Sequence, residues 1–270
     1  MGKIVIELKY IWSVFLLKLD MWSVYRLKLI VWIISGILEP IIWSVLWYVT
    51  AQESADLVMS GAEILSYYLL TALMNRITRS WTFDTLRKEI REGRYTKYLL
   101  WPKGIIGFRI GADWSDRVVT LAALLPFWFI WLFILQSKGL FEVTISNIGL
   151  FFVAVILATF VRFYLDMFLA HLALFWVKLD GLSTVYWSAY RLFGGITVPL
   201  VLLPAWAFGI TKIMPFRYVV SFPIEVFQGL ISNEEIIRGF IICMAWIIVE
   251  YAALQVVFRV GIKNYESVGA

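Results

Sequence analysis

Residues 81–104 read WTFDTLRKEIREGRYTKYLLWPKG, between two long apolar tracts. The stretch carries six basic residues (Arg87, Lys88, Arg91, Arg94, Lys97 and Lys103) against three acidic ones (Asp84, Glu89 and Glu92). Thr85 to Arg91 contains no helix breaker, and good helix formers dominate it. Gly93 permits a bend or a C-terminal cap, and Pro102 stops the chain continuing as a helix. The spacing predicts a short charged surface helix, then a second short amphipathic piece with Tyr95, Tyr98, Leu99, Leu100 and Trp101. Such a helix, between two spans on their basic side, suits a soluble partner. A solvated loop that only fixes topology fits the same composition.

Outward from this stretch the chain is strongly apolar. Of its 270 residues, 61% are hydrophobic and only 16% charged, with a mean hydropathy of +0.82. A soluble domain could not hide that much apolar surface, whereas a bilayer can. The fold class is therefore all-α, a polytopic membrane protein forming one transmembrane domain over 1–270. The net charge of +5 is no nucleic-acid signature, because the basic residues are spread between the spans. Cys243, the single cysteine, excludes an intrachain disulfide. Lys3, Lys9, Lys18, Arg26 and Lys28 interrupt the first 28 residues too often for a cleavable signal peptide.

The same interruptions predict that residues 1–28 form an amphipathic helix lying in the membrane interface. The first span is Leu29 to Val49, with Glu39-Pro40 near its middle; the proline should kink it, and the glutamate should face protein or water. A weaker second span, Gly61 to Ser80, contains Glu63 and Asn75 and ends in Arg76 and Arg79. Residues 104–117 read as a flexible interfacial lead-in, in preference to close helix packing at Gly107-x-x-x-Gly111. The third span is Val118 to Leu135, the fourth runs from Ile145 to about Val177, and the fifth covers Thr184 to Leu203. Pro199, Pro204, Pro215 and Pro223 then punctuate the chain, so residues 204–235 should form short re-entrant helices outside the cell. The sixth span is Ile236 to Phe258. Six spans put both termini on one side, and eighteen Lys/Arg against three make that side the cytoplasm.

Motifs for chemistry are absent from the sequence. Without GxxxxGK[ST] it should not hydrolyse ATP, and without GxSxG, HExxH or CxxC an intramembrane hydrolase has little support. No catalytic residue, metal ligand or cofactor is expected on this chain; His171, its lone histidine, cannot build a metal cluster. The intramembrane charges say more. Arg162 and Asp166 stand four apart on one helix face, which suits a mutually neutralising pair or a polar pathway. Glu39, Arg191 and Glu250 raise the same alternatives, with Arg191 close enough to the inner surface to snorkel.

Two stretches carry a resemblance. Ile90-Arg91-Glu92-Gly93 followed by Tyr98-Leu99-Leu100-Trp101-Pro102 is one, and Met214-Pro215-Phe216-Arg217-Tyr218 with Phe222-Pro223 and Gly229 is the other. Together with the order of spans, they resemble the permease subunit of an ABC-2-type ATP-binding-cassette transporter, in its DUF990-like branch. Trp101, where that branch often has arginine, and the Arg162/Asp166 pair are departures. The resemblance implies an exporter subunit in the plasma or inner membrane, moving a lipophilic or amphiphilic substrate outward. Its partners would be two copies of a separate ATPase subunit, holding ATP and Mg, a second permease that is identical or paralogous, and membrane lipid. Asp84, Leu86, Arg87, Ile90, Arg91, Gly93, Arg94 and Tyr95 would form the ATPase-coupling helix. Leu86, Ile90 and Tyr95 would supply its apolar anchor and the arginines its rim. Pro215, Phe216, Arg217 and Pro223 would belong to an external gate. A polysaccharide or glycolipid exporter, or a non-transporting scaffold or channel, stands as the alternative.

Overall fold

The computed structural model describes residues 2–24, 26–53, 59–101, 104–137, 145–176 and 179–265. Pro102 and Lys103, with which the charged stretch ends, lie outside them. Among the described residues the regular structure is entirely helical. It begins with α1 (Gly2–Val24), α2 (Arg26–Glu53), α3 (Gly61–Ile77), α4 (Thr82–Arg91), α5 (Thr96–Leu99) and α6 (Ile106–Ser137). It continues with α7 (Ile145–His171), α8 (Asp180–Phe193), α9 (Ala205–Thr211), α10 (Pro215–Val219), α11 (Ser221–Gln228) and α12 (Asn233–Gly261). Two stretches, Asn147–Leu174 and Asn233–Gly261, are long and apolar enough to cross a membrane. Isoleucines and phenylalanines such as Phe129, Phe133, Ile237, Ile241 and Ile248 point outward, as a lipid-facing surface requires.

Local chemistry sets several boundaries. Ser60 and Glu63 form a reciprocal capping box at the start of α3, with the Ser60 N–H donating to Glu63 at 2.7 Å. Glu63 is thus a helix start rather than a charge inside a span. Ser232 and Glu235 repeat the device at α12. Pro40 stays within α2, which runs unbroken past it.

Two expectations are corrected. Residues 106–117 are no flexible lead-in but the first three turns of α6, packed along α1. Their glycines provide close approach instead of flexibility. A Cβ on Gly111 would lie 2.6 Å from the Ile11 carbonyl oxygen, and one on Gly107 would lie 3.1 Å from the Tyr10 ring. Trp22 closes the contact by donating its indole N–H to Asp116 at 2.9 Å. The continuous helix expected over Thr184 to Leu203 is also divided. Helix α8 ends at Phe193, and Gly195 takes a left-handed φ of 82° that a side chain would strain.

The broken stretch is held from outside itself. Tyr67 donates its hydroxyl to the Gly195 carbonyl at 2.8 Å, while Tyr68 and Trp47 both donate to the Thr197 carbonyl, at 2.9 and 3.0 Å. Beyond it, α10 and α11 do not sit as a loose cap. Val219, Val220, Phe222, Ile224 and Val226 are fully buried against the N-terminal half of α7, with Ala154 and Ala158. The Phe222 ring occupies the space over Gly239 of α12, where a Cβ would come within 2.2 Å of it. Helix α7 is therefore the axis on which α4, α10, α11 and α12 all pack.

The α1–α6 crossing gives a direct test. Gly111→Leu forces a side chain onto backbone and should cost about 1–3 kcal/mol. Gly149→Leu on α7, where a Cβ meets nothing within 4 Å, should be neutral. Thermal unfolding of both purified variants distinguishes them; equal midpoints would refute the close crossing.

Candidate functional site

Helix α4 presents two opposite faces. Phe83, Leu86 and Ile90, spaced by three and four residues, are buried against Phe163, Met167 and Ala170 in the C-terminal half of α7 and Leu174 just beyond it. Gly93, at φ 73°, turns the chain so that Tyr95 also points inward, its hydroxyl 2.9 Å from His171 Nε2. His171 Nδ1 meets the Met167 carbonyl at 2.7 Å. Leu86, Ile90 and Tyr95, expected to anchor a partner, are thus already consumed by the chain's own core. Periodicity identified a buried face; it could not say which surface buries it.

What α4 offers outward is charge. Lys88, Arg91, Glu92 and Arg94 are exposed, and Asp84, Arg87, Lys88 and Arg91 line a shallow cavity of about 80 Å³. Arg87 bridges Asp84 at 3.3 Å and Asp180 at 3.0 Å, tying α4 to the start of α8. Behind this face lies a network that the sequence did not signal. Glu89, nearly buried, accepts from Arg109 of α6, from the Tyr98 hydroxyl at 2.8 Å and from Lys97 at 3.0 Å. Burial alone would raise its carboxyl pKa; Arg109, Tyr98 and Lys97 outweigh that and hold it below the usual range. Glu89 and Arg109 are twenty residues apart, beyond any local spacing rule.

The interior charges do meet as the four-residue spacing implied. Arg162 Nε lies 3.3 Å from Asp166, and both side chains are buried. Tyr186 of α8, unsuspected in the sequence, donates its hydroxyl to the other Asp166 oxygen. Arg162 stacks on Tyr190 with its guanidinium 4.0 Å from the ring centre, and on Trp187 at 5.0 Å. Phe83 of α4 meets Tyr186 edge-on at 5.0 Å, so the surface helix touches this cluster directly. Arg191 does not merely snorkel: it pairs with Glu39 at 2.6 Å. Glu39, Arg162 and Arg191 then line one cavity of about 270 Å³ between α2, α3, α7 and α8. Glu250 of α12 is buried, with no hydrogen-bond partner for either oxygen among the described residues.

The residues expected in an external gate are largely buried. Pro215 starts α10, and Arg217 is buried and bonded to Glu225. Ser221 donates to the same carboxylate at 2.7 Å. Phe216 is partly buried beside Tyr186, and Pro223 is buried within α11.

The family model described as "ABC-2 family transporter protein" matches residues 58–269, most of the chain. No curated protein matches it.

Three substitutions probe this geometry. Asp166→Asn strands a buried guanidinium and should cost about 3–5 kcal/mol, and adding Arg162→Gln should restore most of it. A single variant as stable as wild type would refute the buried pair. Ile90→Asp should abolish folding rather than release a partner, read as loss of a monodisperse species after detergent extraction.

Proposed function

Because the chain belongs to the ABC-2 transporter family, we propose that it is the membrane-spanning subunit of an ATP-driven exporter of amphiphilic cargo. It works with a separate ATPase, which carries ATP and Mg, and with a second permease that is identical or paralogous. In this reading α2, α3, α6, α7, the α8–α9 region and α12 make six crossings, α1 lies in the interface, and both termini face the cytoplasm. The eighteen-to-three distribution of Lys and Arg supports that orientation.

One observation carries the mechanism: α4 is fixed to the bundle by its apolar face and shows a polar, mostly charged surface on the other. An ATPase seated on the charged face would push a rigid element, because Phe83, Leu86 and Ile90 leave α4 no room to slide against α7. Arg87, through Asp180, and Phe83, through Tyr186, would carry the push into α8 and the Arg162–Asp166 pair. The pair lies beside the 270 Å³ cavity, so motion at α4 would alter the cavity's lining. Export then needs the two arrangements of the cavity to differ in affinity for cargo.

Docking by charge has a distinct signature. Lys88→Glu with Arg91→Glu and Arg94→Glu should leave the permease folded, since all three are exposed. The ATPase should nevertheless fail to co-purify, and wild-type docking should weaken with salt. Full co-purification and cargo-stimulated ATP hydrolysis in the triple variant would overturn the mechanism. For orientation, exposed Thr85→Cys should react with an impermeant thiol reagent only after permeabilisation and Ser232→Cys in intact cells; Cys243 is buried. The reverse pattern would invert the topology.

A further inference from the structure

Glu250 has no part in the transport reading, yet its setting is the least expected in the bundle. The residue is 3% exposed, and neither carboxyl oxygen has a hydrogen-bond partner among the described residues. Cys243 and Leu254, seven residues before it and four after, are buried on the same face of α12. Among the described residues, the charged group within Coulomb range of Glu250 is Asp166 of α7, a like charge. Arg217 of α10 acts on Cys243 and is bonded to Glu225, and His171 meets Phe258, two turns farther along α12. Leu172–Leu174, also packed on α12, carries no ionisable side chain, and Lys263 beyond the helix is exposed. The other charges of α12, Glu234, Glu235, Arg238 and Arg259, lie toward its ends. A carboxylate without a donor, in apolar surroundings and beside a second carboxylate, takes up a proton rather than stay charged.

A line of acids leads to it. Asp116 and Asp113, three apart on α6, lie within Coulomb range of each other, and Asp113 lies within range of Asp166. The buried Ser80 hydroxyl stands between Asp113 and Asp166 and interacts with both carboxyls. The outer end is half-buried Asp116, which accepts from Trp22 of α1 and lies near Lys18 and Arg79. Arg117 comes no closer to Asp113 than 4.0 Å, while Arg162 holds Asp166. Arg117 Nη2 and Arg162 Nη1 are buried with no acceptor among the described residues. Buried donors of this kind are met by ordered water, and water beside a row of carboxyls passes protons along it.

We infer that Glu250 is a proton-binding site, loaded from the α1 side of the bundle through Asp116, Asp113, Ser80 and Asp166. Each group along the line gains a proton as it gives one inward. The net change is one proton taken from water and one carboxylate neutralised, with no other reactant. The site stands without the transport reading; only naming the entry side as cytoplasmic rests on the orientation proposed above.

The test uses the purified full-length chain in lipid nanodiscs with dicyclohexylcarbodiimide. This apolar reagent adds the O–H of a carboxylic acid across its C=N bond and leaves carboxylates alone. At neutral pH, peptide mass spectrometry should find Glu250 modified on the order of a hundredfold faster than exposed Glu234. Glu250→Gln, which keeps the shape of the neutral acid, should fold normally. Titrated from neutral to alkaline pH, the wild type should release one more proton per chain than this variant. After the reverse pH jump, Ser80→Ala should slow that extra uptake by about tenfold and leave its extent unchanged. Equal proton release by wild type and Glu250→Gln, or Glu250 reacting no faster than Glu234, would overturn the proton site. An unchanged uptake rate in Ser80→Ala would overturn the route. Neither readout involves an ATPase, so failure of the transport reading would leave both results as they are.

Discussion

Everything in this bundle answers to one constraint: in apolar surroundings, backbone that leaves the helix must find hydrogen-bond partners inside the protein. The chain leaves the helix after Phe193, where Gly194-Gly195 and then Pro199 forbid continuation. The Gly195 and Thr197 carbonyls are met by Tyr67, Tyr68 and Trp47, so two neighbouring helices must present aromatic side chains at one level. That demand fixes α3 and α2 against the break, and the chain beyond it folds into α10 and α11 at the centre. Irregular backbone is here the reason for the packing rather than a defect in it.

Charge follows the same logic. Arg162 has a carboxylate and three aromatic rings around it, and Asp166 gains a tyrosine hydroxyl besides its arginine. Such clusters rarely add net stability over apolar packing, but breaking one partner is costly. Their value lies in specifying where α7 and α8 sit. Glu89 and Arg109 do the same between α4 and α6.

Much of this was legible in the sequence, and the gaps have physical causes. Breakers located the short charged helix, which forms over Thr82–Arg91, and Gly93 and Gly229 take the left-handed turns that end helices. The Arg162–Asp166 contact followed from helical spacing alone. The apolar face of α4 was legible, but its destination was not, because a stripe states only that it is covered. The pairing of Tyr186 with Asp166 and of Glu89 with Arg109 escaped notice since each joins residues twenty apart. Glycines misled most directly: at 107 and 111 the missing side chain admits another helix, an effect indistinguishable in sequence from looseness.

The close crossing of α1 on α6 also constrains biosynthesis. Trp22 and its acceptor Asp116 are 94 residues apart. At typical elongation rates of about 5–20 residues per second, α1 would leave the ribosome roughly 5–20 s before its partner exists. In that interval Trp12, Leu16 and Leu17, which remain outward-facing even in the finished fold, would give it an affinity for the bilayer surface. The membrane would serve as its holding place, and docking onto α6 would be among the late steps of assembly.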